Sequence, residues 1–438
     1  MLEVGPKVPD DARVQEVLDL CMRVGEVLLS SGESVDEVTE TMLRLARVGG
    51  LSAVEVDITF TSVTMSCHRG KVAPPVTTMR LVRYRSLDLT RLAAVRRLVA
   101  EVEAGNADVR TAASALSAVT AAPHPYPRWV ATAGWALLAG TIAILLGGAP
   151  VTAGLAFVVT ALIDRTGRLL SRFGLPTFFL QVVGGLFATL STVGLLAAGV
   201  FPDGARPSLV VAAGITVLLS GLSVVSTVQD AITGYYVTAA GRGVEIALLS
   251  AGLLTGVVIG LKLGFAVGVA LEVSGDVSVS AGRFGLSLAL GAAAAAAYAL
   301  AGYAPLTTLP LAGIAGAAGW GTYSLLFQFA NAGPIASTGI AAVVIGVFSG
   351  VLRRTTTVPT LVVTLAGITP LLPGLTAYRG FYQLAVQGVS EGLVTVTLAL
   401  AIGLALAAGV ALGEFVVRPR RVAPVPAVTN DAPDGERQ

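Results

Sequence analysis

Between residues 129 and 413 the chain is a succession of apolar runs, and nothing else in it limits the fold so strongly. Hydrocarbon offers no partner to backbone N–H and C=O groups, so a segment crossing it must satisfy them internally, as a helix does. Such a helix needs about 20 mostly apolar residues. By that rule spans fall near 129–147, 150–163, 176–200, 208–226, 244–270, 284–302, 306–328, 335–352, 357–377 and 393–413. The expected fold is a polytopic all-α membrane protein with about ten transmembrane helices.

Charge divides the chain. Charged residues are 13% of it, against about 25% in a soluble domain. Residues 1–128 hold 15 Lys/Arg and 16 Asp/Glu, whereas residues 129–414 hold 10 and 8. A hydrophilic head therefore precedes a membrane body. The expected layout is a cytosolic α+β head over 1–122 and a Pro-rich linker over 123–128. Two membrane halves of about five helices follow, over 129–270 and 271–414, with a disordered cytosolic tail over 415–438. The head has no excess of basic residues, so nucleic acid is not an expected partner. No signal peptide is visible before Trp129.

Inside the head, Val14, Val17, Leu18, Cys21, Val24, Leu28 and Leu29 recur at helical spacing over 11–31, and Gly32 ends the run. Ser34 and Glu37 have the spacing of a capping box for a second helix that ends at Gly49-Gly50. Strand patterns follow at 53–60, 62–68 and 77–84, then helices over 89–104 and 108–119.

Orientation follows from the loop arginines. With the head inside, Arg165, Arg168, Arg172, Arg242, Arg353, Arg354, Arg418, Arg420 and Arg421 fall on the inner side. Arg206, Arg283 and Arg379 fall outside. Both termini are expected in the cytosol. An internal repeat is hinted at by Pro-Thr opening both GLPTFFLQVVGG (174–185) and TVPTLVVTLAGI (357–368).

Ionisable groups within a membrane are costly and are often functional. The candidates are Asp230, Arg242, Glu245, Lys262, Glu272 and Asp276. Arg242 and Glu245 are three apart and could pair on one helix. Asp230 and Glu245 are the proton-coupling candidates. Gly252, Gly256, Gly260, Gly264 and Gly268 recur every four residues and make a face for close helix packing, within the chain or across a homo-oligomer. The run 367–380 holds two prolines among its glycines, and broken helices at membrane depth point to a substrate site. Freed carbonyls there could take an ammonium group, and helix N-termini a carboxylate. An amino acid carries both. The substrate-binding candidates are accordingly Arg242, Thr369, Pro370, Pro373, Gly374 and Arg379.

Catalysis has little to stand on. Cys67 and His68 are adjacent in a strand and face opposite ways. No metal spacing, P-loop or GxSxG occurs, so no catalytic residue, metal or cofactor is expected, and no ATP-driven pump within this chain. The two cysteines suit a reducing cytosol as free thiols.

Four segments carry a resemblance. They are SSGESVDEVTETMLRLARVGG (30–50) with VEVDITFTSVTMS (54–66), DRTGRLLSRFGLPTFFLQVVGG (164–185), QDAITGYYVTAAGRGVE (229–245) and TPLLPGLTAYRG (369–380). In this order they resemble the threonine/serine exporter family, in the form that fuses the head and both membrane halves. The resemblance implies a secondary transporter, driven by the proton motive force, that exports L-threonine and L-serine across about ten spans. Split members of the wider family are associated with dicarboxylate export, so succinate-like substrates stay open. Two further alternatives are a membrane-anchored hydrolase acting through the head and a channel with the head as sensor.

Overall fold

The computed structural model describes residues 10–69, 73–83, 85, 87–218, 221–271, 284–355, 360–388 and 390–417. Glu272, Asp276, Arg283 and the tail from 418 onward lie outside the described residues.

The N-terminal elements are α1 (Asp11–Ser30), α2 (Val35–Val48), β1 (Val54–Thr59), β2 (Ser62–Cys67), β3 (Val76–Leu81), α3 (Leu89–Glu103) and α4 (Val109–Ala121). The strands form an antiparallel meander in the order β1-β2-β3, with Val54 opposite Cys67 and Ser62 opposite Leu81. Val14, Val17, Leu18, Cys21, Val24 and Leu28 of α1 are all buried among Met42, Val63, Met65, Leu92 and Leu116. Each such side chain contributes about 1.5–3 kcal/mol. The expected capping box does not form: Ser34 makes no side-chain cap, and Glu37 turns to arginines instead.

The apolar part begins with α5 (Arg128–Leu145), α6 (Pro150–Arg172), α7 (Thr177–Ala197), α8 (Ser208–Leu218), α9 (Gly221–Ile232) and α10 (Tyr236–Ala266). It continues with α11 (Phe284–Ala301), α12 (Leu309–Gln328), α13 (Pro334–Thr355), α14 (Thr360–Ile368), α15 (Gly374–Tyr382) and α16 (Glu391–Val417). Two boundaries move from expectation. The second apolar helix continues to Arg172, so Arg165, Arg168 and Arg172 lie on a helix and not in a loop. The helix expected from 244 starts at Tyr236 and takes Arg242 and Glu245 into its second and third turns.

Six of the described helices are long and apolar enough to cross a bilayer, or eight with the two bent pairs α8/α9 and α14/α15. The chain is thus a mostly helical, multi-pass membrane protein. Apolar side chains such as Phe157, Leu162, Leu248, Leu263, Leu400 and Leu404 point outward, as they do on a surface that meets lipid.

Packing repeats in the two parts. In each, the first two helices pair, α5 with α6 and α11 with α12, while α7 packs along α10 and α13 along α16. Between them lies a broken helix. The bend is 48° between Ser208–Leu218 and Ser223–Ile232, and 43° between Thr360–Leu371 and Gly374–Tyr382. Thr177 of the first Pro-Thr motif opens the unbroken α7 and Thr360 of the second opens the broken α14, so these positions are not equivalent under this pattern; Pro359 lies outside the described residues.

Close approach explains both straight pairs. A Cβ on Gly252 would lie 2.7 Å from Phe178 O, and one on Gly260 2.7 Å from Thr189 Cβ. Gly256 meets the Val182 carbonyl and Gly264 the Val193 side chain across the same seam. Gly268 lies beyond the helix at φ +81°, with nothing facing it within 4 Å. The mirror seam uses Gly346, Gly409 and Gly413 between α13 and α16, which the spacing of the glycines did not bring out.

Candidate functional site

The second break is made by its prolines. A 3₁₀ turn at Thr369–Leu371 ends α14, Leu372 becomes extended (φ −61°, ψ 134°), and Pro373 leads into α15. A proline nitrogen has no hydrogen to donate, so the helix cannot run through. Gly374 opens α15 against Thr216 of α8, where any Cβ would collide with the Thr216 hydroxyl. The two broken helices touch at this point.

Beside the contact lies a cavity of about 780 Å³. Thr177 and Gln181 of α7, Thr216 of α8, Ser223 of α9 and Glu245 of α10 line it together with Thr369. Trp135 and Tyr298 supply aromatic walls. Phe60, Thr61, Arg83 and Arg85 of the N-terminal elements close one side. The Gln181 amide nitrogen donates weakly to Leu218 O at 3.4 Å, and its carbonyl oxygen is buried with no donor among the described residues. That oxygen can accept from an ammonium or a hydroxyl group. Arg85 Nη2 lies 2.9 Å from Glu245 Oε2, so one guanidinium and one carboxylate sit together on the wall.

The hairpin tip is fixed onto the body. Phe60 sits at φ +52° between β1 and β2, and its N–H donates to Thr238 Oγ1 at 2.9 Å. Thr238 in turn donates to Ile58 O at 3.2 Å. The Phe60 ring packs on Gly241 of α10.

The expected Arg242–Glu245 pair is replaced by two others. Arg242 Nη1 lies 2.7 Å from Asp230 Oδ2, and both side chains are at most 1% exposed. The other Asp230 oxygen accepts from the Val35 N–H at 2.7 Å, at the start of α2. Arg242 Nη2 donates to Glu33 O at 3.3 Å. Glu245 turns instead to Arg85, because Asp230 on α9 already faces the buried side of α10. Lys262 is exposed toward the far end of α10.

Of the residues singled out, Thr369 and Glu245 reach the cavity. Pro370, Pro373, Gly374 and Arg379 are not among its lining residues; they shape the break or follow it on α15. Arg242 and Asp230 form a clamp between α9, α10 and the start of α2.

A second interface was not legible. Arg96 Nη1 donates to Glu37 Oε1 at 2.8 Å and Nη2 to Glu33 Oε1 at 2.6 Å. Arg353 of α13 holds Glu37 with two bonds of 3.0 and 3.1 Å. Burial would raise the Glu37 pKa, but the charges of Arg96 and Arg353 overcome it and hold the carboxyl at about 2. The acidic run at 33–37 was a visible signal, yet its partner on α13 lies 316 residues away. Elsewhere, His124 Nδ1 lies 3.0 Å from Asp88 Oδ2 and stacks on Tyr303 at 4.1 Å, tying the end of the head to the body.

Features for catalysis stay apart. The Cys67 thiol is buried and pushed up by that burial, whereas His68 is half-exposed near Glu55. Both cysteines are free. Among the described residues no three His, Cys, Asp or Glu side chains gather as metal ligands would.

Comparison with known proteins gives the lineage. A family model described as "Putative threonine/serine exporter" matches residues 19–264, and one described as "Threonine/Serine exporter, ThrE" matches residues 287–416. The chain is 40% identical over 420 residues to a "Probable threonine/serine exporter" of Mycobacterium tuberculosis, covering 94% of this chain and 78% of that protein. It is 35% identical over 420 residues to a "Threonine/serine exporter" of Corynebacterium glutamicum, covering 95% and 85%. No solved structure matches it. The chain belongs to the threonine/serine exporter family.

Proposed function

We propose that this protein is a secondary transporter that exports L-threonine and L-serine from the cytosol, driven by the proton motive force. One observation carries the reading: the 780 Å³ cavity sits where two broken helices meet. Its wall offers the groups a small hydroxy amino acid needs. The Gln181 carbonyl oxygen and Glu245 suit the ammonium group, and Arg83 and Arg85 suit the carboxylate. Thr177, Thr216, Ser223 and Thr369 supply hydroxyl partners for the substrate side chain. Pro370, Pro373 and Gly374 maintain the break, and Arg379 follows it on α15. Broken elements in matching places of two halves are a recurrent way to build such a site.

In this reading ten elements span the membrane, α6 and α12 included, with each broken pair as one span. The head, residues 1–122, is cytosolic, and so are both termini. Arg242 and Arg353, counted as inner arginines, both touch residues 33–37, which supports that orientation. Asp230 and Glu245 were the carboxylates suggested for proton coupling. Both are paired with arginines, which favours roles in clamping and in the substrate wall.

Counterflow in proteoliposomes loaded with threonine tests the substrate class. Labelled threonine should enter, and external serine should compete. Succinate competing in place of serine would shift the substrate to dicarboxylates. Absence of exchange from correctly inserted protein would remove the proposal.

A further inference from the structure

A second cavity, of about 640 Å³, lies between the start of α2 and helices α9, α13, α14 and α16. Among the described residues, one carboxylate on its wall is held by neutral donors. Glu414, near the end of α16, accepts from Thr364 Oγ1 of α14 at 3.1 Å and from Gln229 Nε2 of α9 at 3.3 Å. Both donors are neutral. Among the described residues no ion pair involves Glu414, whereas Asp230 and Glu245 each have an arginine within 2.9 Å. The two donors stand on the two broken helices, so this one carboxylate ties both of them to α16.

We propose that Glu414 is the proton-binding site of the transport cycle and that its protonation loosens the hold on α9. This rests on the reading of the chain as a proton-driven exporter. As a carboxylate, Glu414 accepts from both partners. A proton arriving from water in the cavity and bonding to Oε2 removes the carboxylate charge and makes that oxygen a donor and a poorer acceptor for the Gln229 NH₂ group. The long Gln229 bond of 3.3 Å therefore weakens, or the amide turns over to accept. Thr364, a hydroxyl that also bonds Ser349 at 2.7 Å, can donate or accept, so α14 stays attached. Loss of the proton back to water restores both bonds. The first broken helix is therefore the one a proton loosens, and Ser223 on it lines the substrate cavity.

The surroundings suit a group that gains and loses a proton. The other charged groups on this cavity wall are Glu33, Asp36, Glu37 and Arg353. Glu33 is held by Arg96, and Glu37 by Arg96 and Arg353. The arginines on this side are thus engaged by other carboxylates, and Glu414 keeps its two neutral partners facing the cavity.

The test compares wild-type protein and Glu414→Gln in proteoliposomes with labelled threonine. Wild type should accumulate threonine under an imposed pH gradient, and its counterflow should vary with pH. In E414Q, gradient-driven accumulation should fall at least tenfold, and counterflow should lose its pH dependence. Gradient-driven accumulation by E414Q at the wild-type rate would overturn the assignment. A wild-type protein that exchanges threonine without responding to a pH gradient would instead overturn proton coupling itself. If E414Q does not fold, proton uptake on threonine addition is read with a pH dye on wild type and on Gln229→Leu. Removing the Gln229 bond should shift the pH at which uptake is half-maximal, and no shift would count against Glu414.

Discussion

At the scale of single residues, the Asp230–Arg242 pair is the most consequential contact. Removing one partner of a buried pair leaves an uncompensated charge and costs about 3–5 kcal/mol. Arg242→Met should therefore lower thermal stability in detergent sharply. The double variant Arg242→Met, Asp230→Leu should recover much of the loss, since no charge is then stranded. Equal loss in single and double variants would contradict the clamp. The sequence made these two residues conspicuous as charges in an apolar chain, but it suggested the wrong pairing. Spacing along one helix favoured Glu245, and only the position of α9 brings Asp230 to within 2.7 Å of Arg242. Glu37 gives a pH-dependent prediction. Its carboxyl is held at about 2 against an ordinary 4.5, so its stabilising contribution is complete above about pH 4.5. That contribution fades as pH falls toward about 2. Replacing Arg353 by Ala should narrow the window, which a pH series of melting curves would detect; an unchanged series would contradict the bidentate contact.

Among the elements, glycine seams and breaks decide the arrangement. A Cβ on Gly256 would meet the Val182 carbonyl of α7, so Gly256→Ala should cost about 1–3 kcal/mol through overpacking. Gly413→Ala should do the same between α16 and α13. Gly154→Ala, with open space around it inside α6, should cost nothing and can raise stability by up to about 1 kcal/mol through helix propensity. Equal effects at all three positions would argue against the seams. The first seam could be read from the every-fourth-residue glycines, while the second could not, because its glycines are shared between α13 and α16. The break at 369–374 was legible from Pro370 and Pro373. Its counterpart between α8 and α9 carries no proline, and so the sequence read as one continuous span.

For the whole molecule, the head and body act as one assembly. The hairpin tip at Phe60, the start of α2 and the Glu37–Arg353 contact all seat the head on the ends of membrane helices. Hydropathy and charge set these two parts apart in composition but said nothing of how they meet, because contacts such as Glu37–Arg353 are long-range. The head closes one side of the substrate cavity and part of the cavity that holds Glu414. The most direct test of the central claim is accumulation of labelled threonine in proteoliposomes under an imposed pH gradient, with and without a protonophore. Uphill accumulation that serine suppresses and the protonophore abolishes is the expected result. Uptake that only equilibrates, indifferent to the gradient and the protonophore, would contradict it.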